Sequence, residues 1–290
     1  MAKETYIIDG IRTPIGSFCG ALSPVRTDDL LTHVLKCLAE RHSGLDLAAI
    51  DDVIIGCANQ AGEDNRNVAR MCTLMAGYPV TVPAETVNRL CSSGMSAVVH
   101  AHRAIQAGDG ELFVSGGVEH MTRGPWVISK TSTPFGRDAK MYDSSFGWRF
   151  INPLIQQVYG TEAMGETAEN LVEKYGISRQ RQDMFSYHSQ AKVKKAREAG
   201  YFKSEILPIE VVKSKREKYT VDEDEFPRPD TTPEILAGLR PAFRKDGSVT
   251  AGNSSGLNDG AAALLVASGK AVKDHNLKPL ARIVSSAVAG

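Results

Sequence analysis

Cys91 lies in the stretch of the sequence whose residue types and spacing could support covalent catalysis. Residues 80–87 are rich in β-branched side chains and predict a strand, and a helical pattern follows that ends at Gly108. The positions at helical spacing are Met95, Val98, Val99, His102 and Ile105. A cysteine on the first turn of such a helix lies beside unpaired backbone N–H groups and the positive end of the helix dipole, and both favour a thiolate over a thiol.

This placement of Cys91 allows two interpretations. The small residues Ser92, Ser93 and Gly94 follow it, so a bulky substrate could approach the sulfur without meeting a large side chain. The functional interpretation is a nucleophilic cysteine whose neighbouring N–H groups hold an oxyanion. The alternative is a buried, inert cysteine, which is the commoner state of a lone cysteine.

Few other residues in the sequence could take part in catalysis or ligand binding. The seven histidines show no metal-ligand spacing. His100 and His102 fall on the predicted Cys91 helix at least about two turns away, so neither is an obvious base for Cys91. His120 follows a Gly116-Gly117 pair, and a structural role is the favoured interpretation over a catalytic one. Residues 252–260, rich in Gly, Asn and Ser, form either a phosphate- or pantetheine-binding loop or only a tight turn.

The elements that position Cys91 alternate between strand and helix. Strands are predicted at residues 6–10, 50–56, 80–87 and 111–118, and helices at residues 28–41 and 68–76 and after Cys91. Thr27 or Asp28 is a candidate N-cap of the first helix. This alternation predicts an α/β domain with a mostly parallel core sheet.

The middle of the chain differs in composition. From about residue 121 to 246 the periodicity weakens and Pro, Trp, Tyr and charged residues accumulate, which predicts an inserted subdomain. Helices are predicted within it at residues 163–175 and 179–200, and a solvated hairpin or loop at residues 213–225. The small apolar residues 261–268 predict a buried strand that returns to the first sheet, and residues 281–288 predict the opening strand of a further unit.

Composition excludes several classes of function. The chain has 290 residues with 34 basic and 34 acidic side chains, so the formal net charge is 34 − 34 = 0 and neither nucleic acid nor an anionic membrane is an expected partner. The N-terminus lacks the apolar core of a signal peptide, and no run reaches the length of a membrane span. Five cysteines with no C-x-x-C pair suit a reducing compartment, so we expect a cytoplasmic protein without a zinc site.

Three separated motifs resemble segments of the thiolase family. Residues 88–95 (Asn-Arg-Leu-Cys-Ser-Ser-Gly-Met) are similar to its active-site cysteine segment, and residues 116–121 (Gly-Gly-Val-Glu-His-Met) to the segment that closes its first domain. Residues 250–262 resemble its coenzyme A loop. Because the three motifs occur in the family's order and span the chain, the sequence is identified as a member of this family.

The resemblance implies the thiolase fold, which is α/β. That fold has two similar βαβαβαββ halves, each with a mixed five-stranded sheet, and an α-rich loop subdomain inserted in the first half. By this comparison, residues 1–120 and 248–270 form the N-terminal thiolase domain and residues 121–247 the inserted subdomain. Residues 271–290 are expected to begin the C-terminal domain, with the second half missing from the sequence.

The resemblance also implies site residues. Cys91 matches the nucleophile that becomes acylated, Arg228 a position near the coenzyme A nucleotide, and Ser255 a serine that bonds the pantetheine. Met164 matches a methionine that lines the acyl pocket. The sequence departs from some biosynthetic members at Ala163, where they have a histidine, and this argues against a short-chain acetoacetyl-CoA substrate. No metal and no other cofactor are expected, because coenzyme A is a substrate.

Two further stretches resemble the 3-oxoadipyl-CoA thiolases of aromatic degradation, namely residues 56–67 and 147–154. We therefore expect cleavage of 3-oxoadipyl-CoA into acetyl-CoA and a shorter acyl-CoA. The alternatives are an acetoacetyl-CoA thiolase, a non-catalytic thiolase-like acyl-CoA binding subunit, and a decarboxylating condensing enzyme of the ketosynthase type. The coenzyme A loop favours a thiolase over the last of these.

Three motifs expected from the resemblance do not occur in the sequence. They are a Gly-His-Pro segment for the base that deprotonates the nucleophile, a Cys-x-Gly-x-Gly segment for the second proton transfer, and an Asn-Glu-Ala segment near one oxyanion site. The favoured interpretation is a chain cut at a domain boundary. We therefore expect the chain as given to have almost no thiolase activity, and we expect it to assemble as a homodimer or homotetramer.

Overall fold

The computed structural model describes residues 3–289. Its strands are β1 (Thr5–Arg12), β2 (Gly16–Ser17), β3 (Asp52–Gly56), β4 (Ala84–Val87), β5 (Leu112–His120), β6 (Trp126–Ile128), β7 (Met141–Asp143), β8 (Ile209–Ser214), β9 (Glu217–Val221), β10 (Asn258–Ser268) and β11 (Ala281–Ile283). Its α-helices are α1 (Thr27–Arg41), α2 (Val68–Met75), α3 (Ser93–Ala107), α4 (Pro153–Tyr159), α5 (Met164–Tyr175), α6 (Arg179–Glu198), α7 (Pro233–Ala237) and α8 (Gly269–Asp274). None of the helices within residues 3–289 combines the length and apolar character needed to cross a bilayer.

The described chain forms two compact units. Unit 1 contains residues 3–124, 204–225 and 258–289, and unit 2 contains residues 125–203 and 226–257. Apart from residues 121–124, which belong to unit 1, the predicted ranges 1–120 with 248–270, 121–247 and 271–290 differ from the compact units at three places.

The first difference is the hairpin of β8 and β9, which belongs to unit 1 although it falls inside the predicted insertion. Its residues Ile209, Val211 and Val221 are buried in the main hydrophobic core of unit 1, so burial of apolar surface attaches the hairpin there. Residues 248–257 belong instead to unit 2, and β11 pairs with β1 in the sheet of unit 1. As an assignment of thiolase domains, the sequence-based ranges stay a prediction.

A mixed sheet forms the centre of unit 1. Its strand order is β11-β1-β10-β5-β3-β4, and β2 pairs with β10 outside this path. Strands β3, β4 and β5 run parallel, whereas β10 is antiparallel to both β1 and β5. The α/β class and the mixed five-stranded core of β1, β10, β5, β3 and β4 are thus confirmed. The alternation of strands and helices predicted a mostly parallel sheet. The sheet is instead mixed, because β10 lies between β1 and β5 and is antiparallel to both.

Helices cover both faces of this sheet. Successive side chains of a strand point to opposite faces, and in β3 Val53 and Ile55 join the core that contains α1 and α2, whereas Ile54 joins a second core with α3. The buried face of α1 consists of the apolar residues at helical spacing, namely Leu30, Leu31, Val34, Leu35 and Leu38. Both faces are therefore apolar, as expected for parallel strands that are covered on two sides.

The N-terminus of α1 is held by a residue that lies far away in the sequence. Thr27 and Asp28, the predicted N-cap candidates, both lie inside the helix, and the N-cap is Arg26. The carboxylate of Glu63 accepts a hydrogen bond from the Thr27 backbone N–H (3.0 Å) and another from Nε of Arg123 (2.8 Å). The predicted cap was wrong because this tertiary carboxylate satisfies the exposed N–H group instead.

Glu63 is expected to make unit 1 sensitive to acid. Burial alone would raise the pKa of Glu63, but hydrogen bonds from Arg123 and from the Thr27 N–H, with the charges of Arg123 and Arg26, lower it to about 2 from 4.5. A depressed carboxyl pKa stabilises the fold above pH 4.5, and this contribution is lost as the pH falls towards 2.

The measurement is the urea midpoint of unfolding between pH 6 and pH 2.5. Glu63→Gln should lower the midpoint at pH 6 and flatten its decline below pH 4.5, whereas the matched control Glu40→Gln, on an exposed pair with Lys36 at 4.0 Å, should not. Parallel pH curves for wild type and Glu63→Gln would contradict the prediction.

Unit 2 is mainly helical. Its long helices α5 and α6 confirm the predicted ones within one or two residues at their ends, while α4, α7 and the hairpin of β6 and β7 were not predicted. Two buried carboxylates, Glu169 on α5 and Asp183 on α6, have partners within the unit. They order the loop that is described with the site below.

Candidate active site

The parallel strands of unit 1 end at one edge of the sheet, and Cys91 lies at that edge. β3, β4 and β5 run in the same direction, so the segments that follow them meet there. Cys57, directly after β3, donates its backbone N–H to the carbonyl oxygen of Val87 (3.1 Å). Glu119, near the end of β5, accepts the backbone N–H groups of Ala58 (2.8 Å) and Asn59 (3.1 Å). The edge beside Cys91 is therefore joined by hydrogen bonds between all three strand ends.

Cys91 itself lies in the tight turn between β4 and α3. The helix begins at Ser93 with Ser92 as the N-cap, so Cys91 immediately precedes the cap and is not on the first helical turn as predicted. The Ser92 side chain caps none of the described backbone N–H groups, which leaves the N-terminus of α3 without a side-chain acceptor among residues 3–289. An exposed thiol thus adjoins a helix end whose N–H groups suit an anion.

The buried face of α3 is made mostly of small residues. Ala97, Ala101 and Ile105 are fully buried, whereas Met95 is 71% exposed. The spacing of Met95 fits the helical period, as predicted, but its side chain is not part of the buried face. Small side chains pack there instead, since they let the helix lie close to the strands.

Gly56, the last residue of β3, shows how close this approach is. A Cβ atom added at Gly56 would lie 2.2 Å from the carbonyl carbon of Ser93 and 2.4 Å from the backbone nitrogen of Gly94. These atoms belong to the first turn of α3, two and three residues after Cys91. Only glycine therefore lets the turn that presents Cys91 rest directly on the sheet.

The five cysteines occupy different environments. Cys91 and Cys19 are exposed, Cys37 is partly buried, and Cys57 and Cys72 are buried. Burial is the main cause that raises the pKa of the Cys57 thiol far above its usual value and that of Cys72 to about 12. The interpretation of Cys91 as a buried cysteine is therefore wrong, and its reactivity stays a prediction.

Alkylation should separate these thiols. With limiting iodoacetamide on the folded protein, we expect Cys91 to be labelled first because it is exposed directly before the N-terminus of α3, and Cys57 and Cys72 to stay unmodified because they are buried. Peptide mass spectrometry over time measures the order. Cys19 provides the internal control, since it is also exposed but lies away from a helix N-terminus. Faster labelling of Cys19 than of Cys91 would contradict the prediction.

None of the three histidines considered from the sequence approaches Cys91 through a described contact. Nδ1 of His100 lies 3.9 Å from Oε1 of Glu85, and Nδ1 of His102 lies 3.0 Å from Oγ1 of Thr5. The side chain of His120 is completely buried, with Nε2 donating to the carbonyl oxygen of Leu22 (3.2 Å). His120 is the last residue of β5, and the burial of its side chain supports the structural interpretation.

The other candidate residues lie in unit 2, and all three are exposed. Arg228 donates its backbone N–H to Oε1 of Gln190 (2.8 Å), and its guanidinium lies 5.9 Å from the centre of the Phe226 ring. That ring packs directly against Gly256, so the structure brings the segments of Arg228 and Ser255 together. Met164 is the first residue of α5 and is 80% exposed.

Buried carboxylates order the loop that contains Ser255. Glu169 accepts the backbone N–H groups of Ser248 (2.8 Å) and Val249 (2.7 Å). Oδ1 of Asp183 accepts Nδ2 of Asn253 (2.9 Å), and Oδ1 of Asn253 accepts the Thr250 N–H (2.7 Å). These hydrogen bonds fix the loop, and both interpretations of residues 252–260, a binding loop and a tight turn, stay predictions.

One group of potential metal ligands is found within the described residues, namely Cys57, Asp64 and Glu119, whose ligand atoms lie within 4.8 Å of one another. Asp64 already accepts the Cys57 thiol (3.5 Å) and the backbone N–H groups of Gln60 (3.1 Å) and Gly62 (2.9 Å). The hydrogen bonds of Glu119 likewise hold backbone. These carboxylates thus have a structural explanation, and the expected absence of a metal cofactor stays a prediction.

Several residues that shape the Cys91 turn or the strand edge beside it were missed from the sequence. They are Gly56 beneath the helix, Glu119 across the strand ends, and Leu90, whose φ of 50° lies in the left-handed region. A glycine that ends a buried strand was a visible signal for Gly56. Nothing in the sequence pattern marked Leu90, because leucine rarely adopts a positive φ.

Comparison with known proteins relates this geometry to one family. The sequence profile described as "Thiolase, N-terminal domain" matches residues 5–270. The chain is 51% identical over 290 residues to the "Beta-ketoadipyl-CoA thiolase" of Pseudomonas aeruginosa, covering 100% of this chain and 72% of that protein. It is 53% identical over 289 residues to the "3-oxoadipyl-CoA/3-oxo-5,6-dehydrosuberyl-CoA thiolase" of Escherichia coli, covering 99% of this chain and 72% of that one.

A solved structure gives the same relation. The crystal structure of the Bacillus anthracis acetyl-CoA acetyltransferase superposes with a TM-score of 0.87 at 42% identity, and the match covers 98% of this chain and 70% of that one. Similarity of sequence and of fold thus extends over nearly the whole chain.

Proposed function

The chain belongs to the thiolase family, and from this premise we propose that the protein is an acyltransferase that cleaves a 3-oxoacyl-CoA by thiolysis with Cys91 as the nucleophile. One observation supports this role most strongly. Cys91 is an exposed thiol directly before the N-terminus of α3, at the edge where three parallel strands end. This geometry offers a nucleophile and oxyanion donors at one point.

The reaction would proceed in two half-reactions. The Cys91 thiolate attacks the 3-keto carbon, and the resulting oxyanion is stabilised by N–H groups of the turn. The bond between C2 and C3 then breaks, the electron pair leaves with the acetyl-CoA carbanion, and that carbanion takes up a proton. The acyl group stays on Cys91 as a thioester. A second coenzyme A loses its thiol proton, attacks this thioester and releases the shortened acyl-CoA, which restores the Cys91 thiolate.

Coenzyme A binding is proposed for unit 2. Arg228 and Ser255 belong to neighbouring exposed segments that Phe226 and Gly256 hold together, and a guanidinium beside a preformed loop suits a phosphate-bearing ligand. Met164 is proposed to line the acyl pocket, in accord with the resemblance. The homodimer or homotetramer and the cytoplasmic location are part of the same proposal.

The proposed substrate is 3-oxoadipyl-CoA. Relatives with that substrate in their names share 51% and 53% of residues with this chain, whereas the acetyl-CoA acetyltransferase of known structure shares 42%. The alternative is acetoacetyl-CoA, which the name of the latter relative favours. A non-catalytic acyl-CoA binding subunit is the second alternative.

Substrate preference is tested with the full-length protein. We expect kcat/KM for thiolysis of 3-oxoadipyl-CoA to exceed that for acetoacetyl-CoA by about tenfold or more, since additional binding interactions of about 1.4 kcal/mol produce this ratio. Loss of the 3-oxoacyl thioester absorbance at fixed coenzyme A measures both rates. Equal or better turnover of acetoacetyl-CoA would contradict the narrower substrate, and no turnover of either would favour the binding subunit.

A further inference from the structure

The backbone at Leu90, directly before the candidate nucleophile, adopts a conformation that leucine avoids. Its φ of 50° places it in the left-handed region, where the Cβ atom of an L-residue is crowded. The Leu90 side chain is 71% exposed. Packing of this side chain therefore does not explain why the backbone holds the left-handed conformation.

Hydrogen bonds on both sides of Leu90 supply the explanation. The carbonyl oxygen of Leu90 accepts the hydroxyl of Ser93 (2.6 Å) and the backbone N–H of Ser93 (3.0 Å). The same hydroxyl accepts the backbone N–H of Arg89 (2.8 Å). On the other side, Oδ1 of Asn88 accepts the Leu90 N–H (2.9 Å), and Nδ2 of Asn88 donates to the carbonyl oxygen of Ala58 (3.0 Å).

Ser93 is built into the structure for this role. Its side chain is buried, and its hydroxyl uses both its donor and its acceptor capacity on the backbone of residues 89 and 90. Its neighbour Ser92 is exposed, and its hydroxyl caps no N–H group in the described part of the helix. The two adjacent serines of this motif therefore differ in their burial and in their hydrogen bonds.

We propose that Ser93 is a positioning residue for the thiolysis reaction, because it clamps Leu90 in the left-handed conformation that aims the Cys91 thiol and the adjoining backbone N–H. This inference deepens the proposed function and rests on it. Ser93 does not contact the reacting atoms. It acts through the peptide between Leu90 and Cys91, whose orientation sets the positions of the nucleophile and of one oxyanion donor. Asn88 holds the other side of the same residue.

The clamp makes a specific prediction about Leu90. Glycine adopts a positive φ without steric cost, so Leu90→Gly should make the hydrogen bonds of the Ser93 hydroxyl dispensable. Leu90→Ala keeps the crowded Cβ atom, so the hydrogen bonds should still be needed. Ser93→Ala is expected to lower kcat of the full-length protein by about 10- to 100-fold, as small misplacements of reacting groups do, while KM for coenzyme A changes less than threefold. Adding Leu90→Gly should recover about tenfold of the lost kcat.

The experiment measures the steady-state rate of thiolysis and, by mass spectrometry, the single-turnover rate of Cys91 acylation. The proteins compared are wild type, Ser93→Ala, Ser93→Ala with Leu90→Gly, and Ser93→Ala with Leu90→Ala. Ser92→Ala is the matched control and should retain kcat within about twofold. Rates are compared at a temperature well below every unfolding midpoint, so that a difference in folded fraction does not enter. Recovery by glycine and not by alanine supports the clamp.

Three outcomes would overturn the inference. They are a kcat for Ser93→Ala equal to that of Ser92→Ala, equal recovery with glycine and alanine at position 90, and no recovery with either. Where Ser93→Ala does not fold, Asn88→Ala with and without Leu90→Gly provides the same comparison from the other side of the clamp. If the proposed function itself is wrong, wild-type Cys91 is not acylated at all. This result distinguishes failure of the proposed function from failure of the inference about Ser93.

Discussion

Replacing Cys91 by serine in the full-length protein is expected to lower kcat for thiolysis by about 10⁴-fold or more, because removal of a catalytic nucleophile costs rates of this order. Serine keeps the size and the turn but has a hydroxyl of far lower acidity than a thiol. Cys91 is exposed, so the unfolding midpoint should stay within about 1 °C of wild type. Steady-state assay with 3-oxoadipyl-CoA and thermal unfolding measure the two quantities.

Cys19→Ser is the matched control for this substitution. Cys19 is the other exposed cysteine of unit 1, and its replacement should leave kcat within about twofold of wild type. Mass spectrometry of the protein mixed with 3-oxoadipyl-CoA in the absence of free coenzyme A should show an acyl adduct on Cys91 in wild type and in Cys19→Ser. An acyl adduct on any other residue, or near-normal turnover by Cys91→Ser, would refute Cys91 as the nucleophile.

Substituting Gly56 by alanine is expected to have the second-largest effect, although residue 56 carries no reactive group. The new Cβ atom would lie 2.2 Å from the Ser93 carbonyl carbon and 2.4 Å from the Gly94 nitrogen. Both are backbone atoms, so the first turn of α3 must move away from the sheet by about 1 Å to restore ordinary contact, and Cys91 moves with it. A displacement of this size lowers kcat by about 100-fold, and overpacking lowers the free energy of unfolding by about 1–3 kcal/mol.

Gly44→Ala provides the control for Gly56→Ala. Nothing lies within 4 Å of a Cβ atom built at Gly44, so this change should leave kcat unchanged and stability within about 0.5 kcal/mol. The measurements are kcat for thiolysis and the urea midpoint of unfolding. Activity within threefold of wild type for Gly56→Ala would mean that α3 tolerates the shift and that close packing on β3 does not position Cys91.

Local pattern was sufficient for much of the scaffold. The apolar positions of α1 at helical spacing are the ones that are buried, and α5 and α6 begin and end within one or two residues of the predicted bounds. The sequence also located Cys91 between a strand and a helix. These features depend on neighbours a few residues apart, so periodicity and helix-ending residues such as Gly108 report them directly.

Contacts between distant segments account for the wrong predictions. The α1 N-terminus was assigned a local cap, but Glu63 supplies the acceptor from a loop 36 residues away. The helical spacing of Met95 did not show that it is exposed, because the close approach of α3 to β3 and β5 favours small side chains on the buried face. The β8–β9 hairpin was predicted to belong to the insertion, but its apolar residues are buried in the core of unit 1.

The sequence by itself therefore determined the family, the α/β class and the cysteine to examine, because each is encoded in short motifs and local periodicity. Only the tertiary structure decided how that cysteine is presented. Gly56 and Ser93 come from different elements and act on the Cys91 turn through the backbone, and Glu119 joins the strand ends beside that turn. Backbone contacts leave no periodic signal in side-chain types, so the geometry of the turn appears only when the strands that bring these residues together are in place.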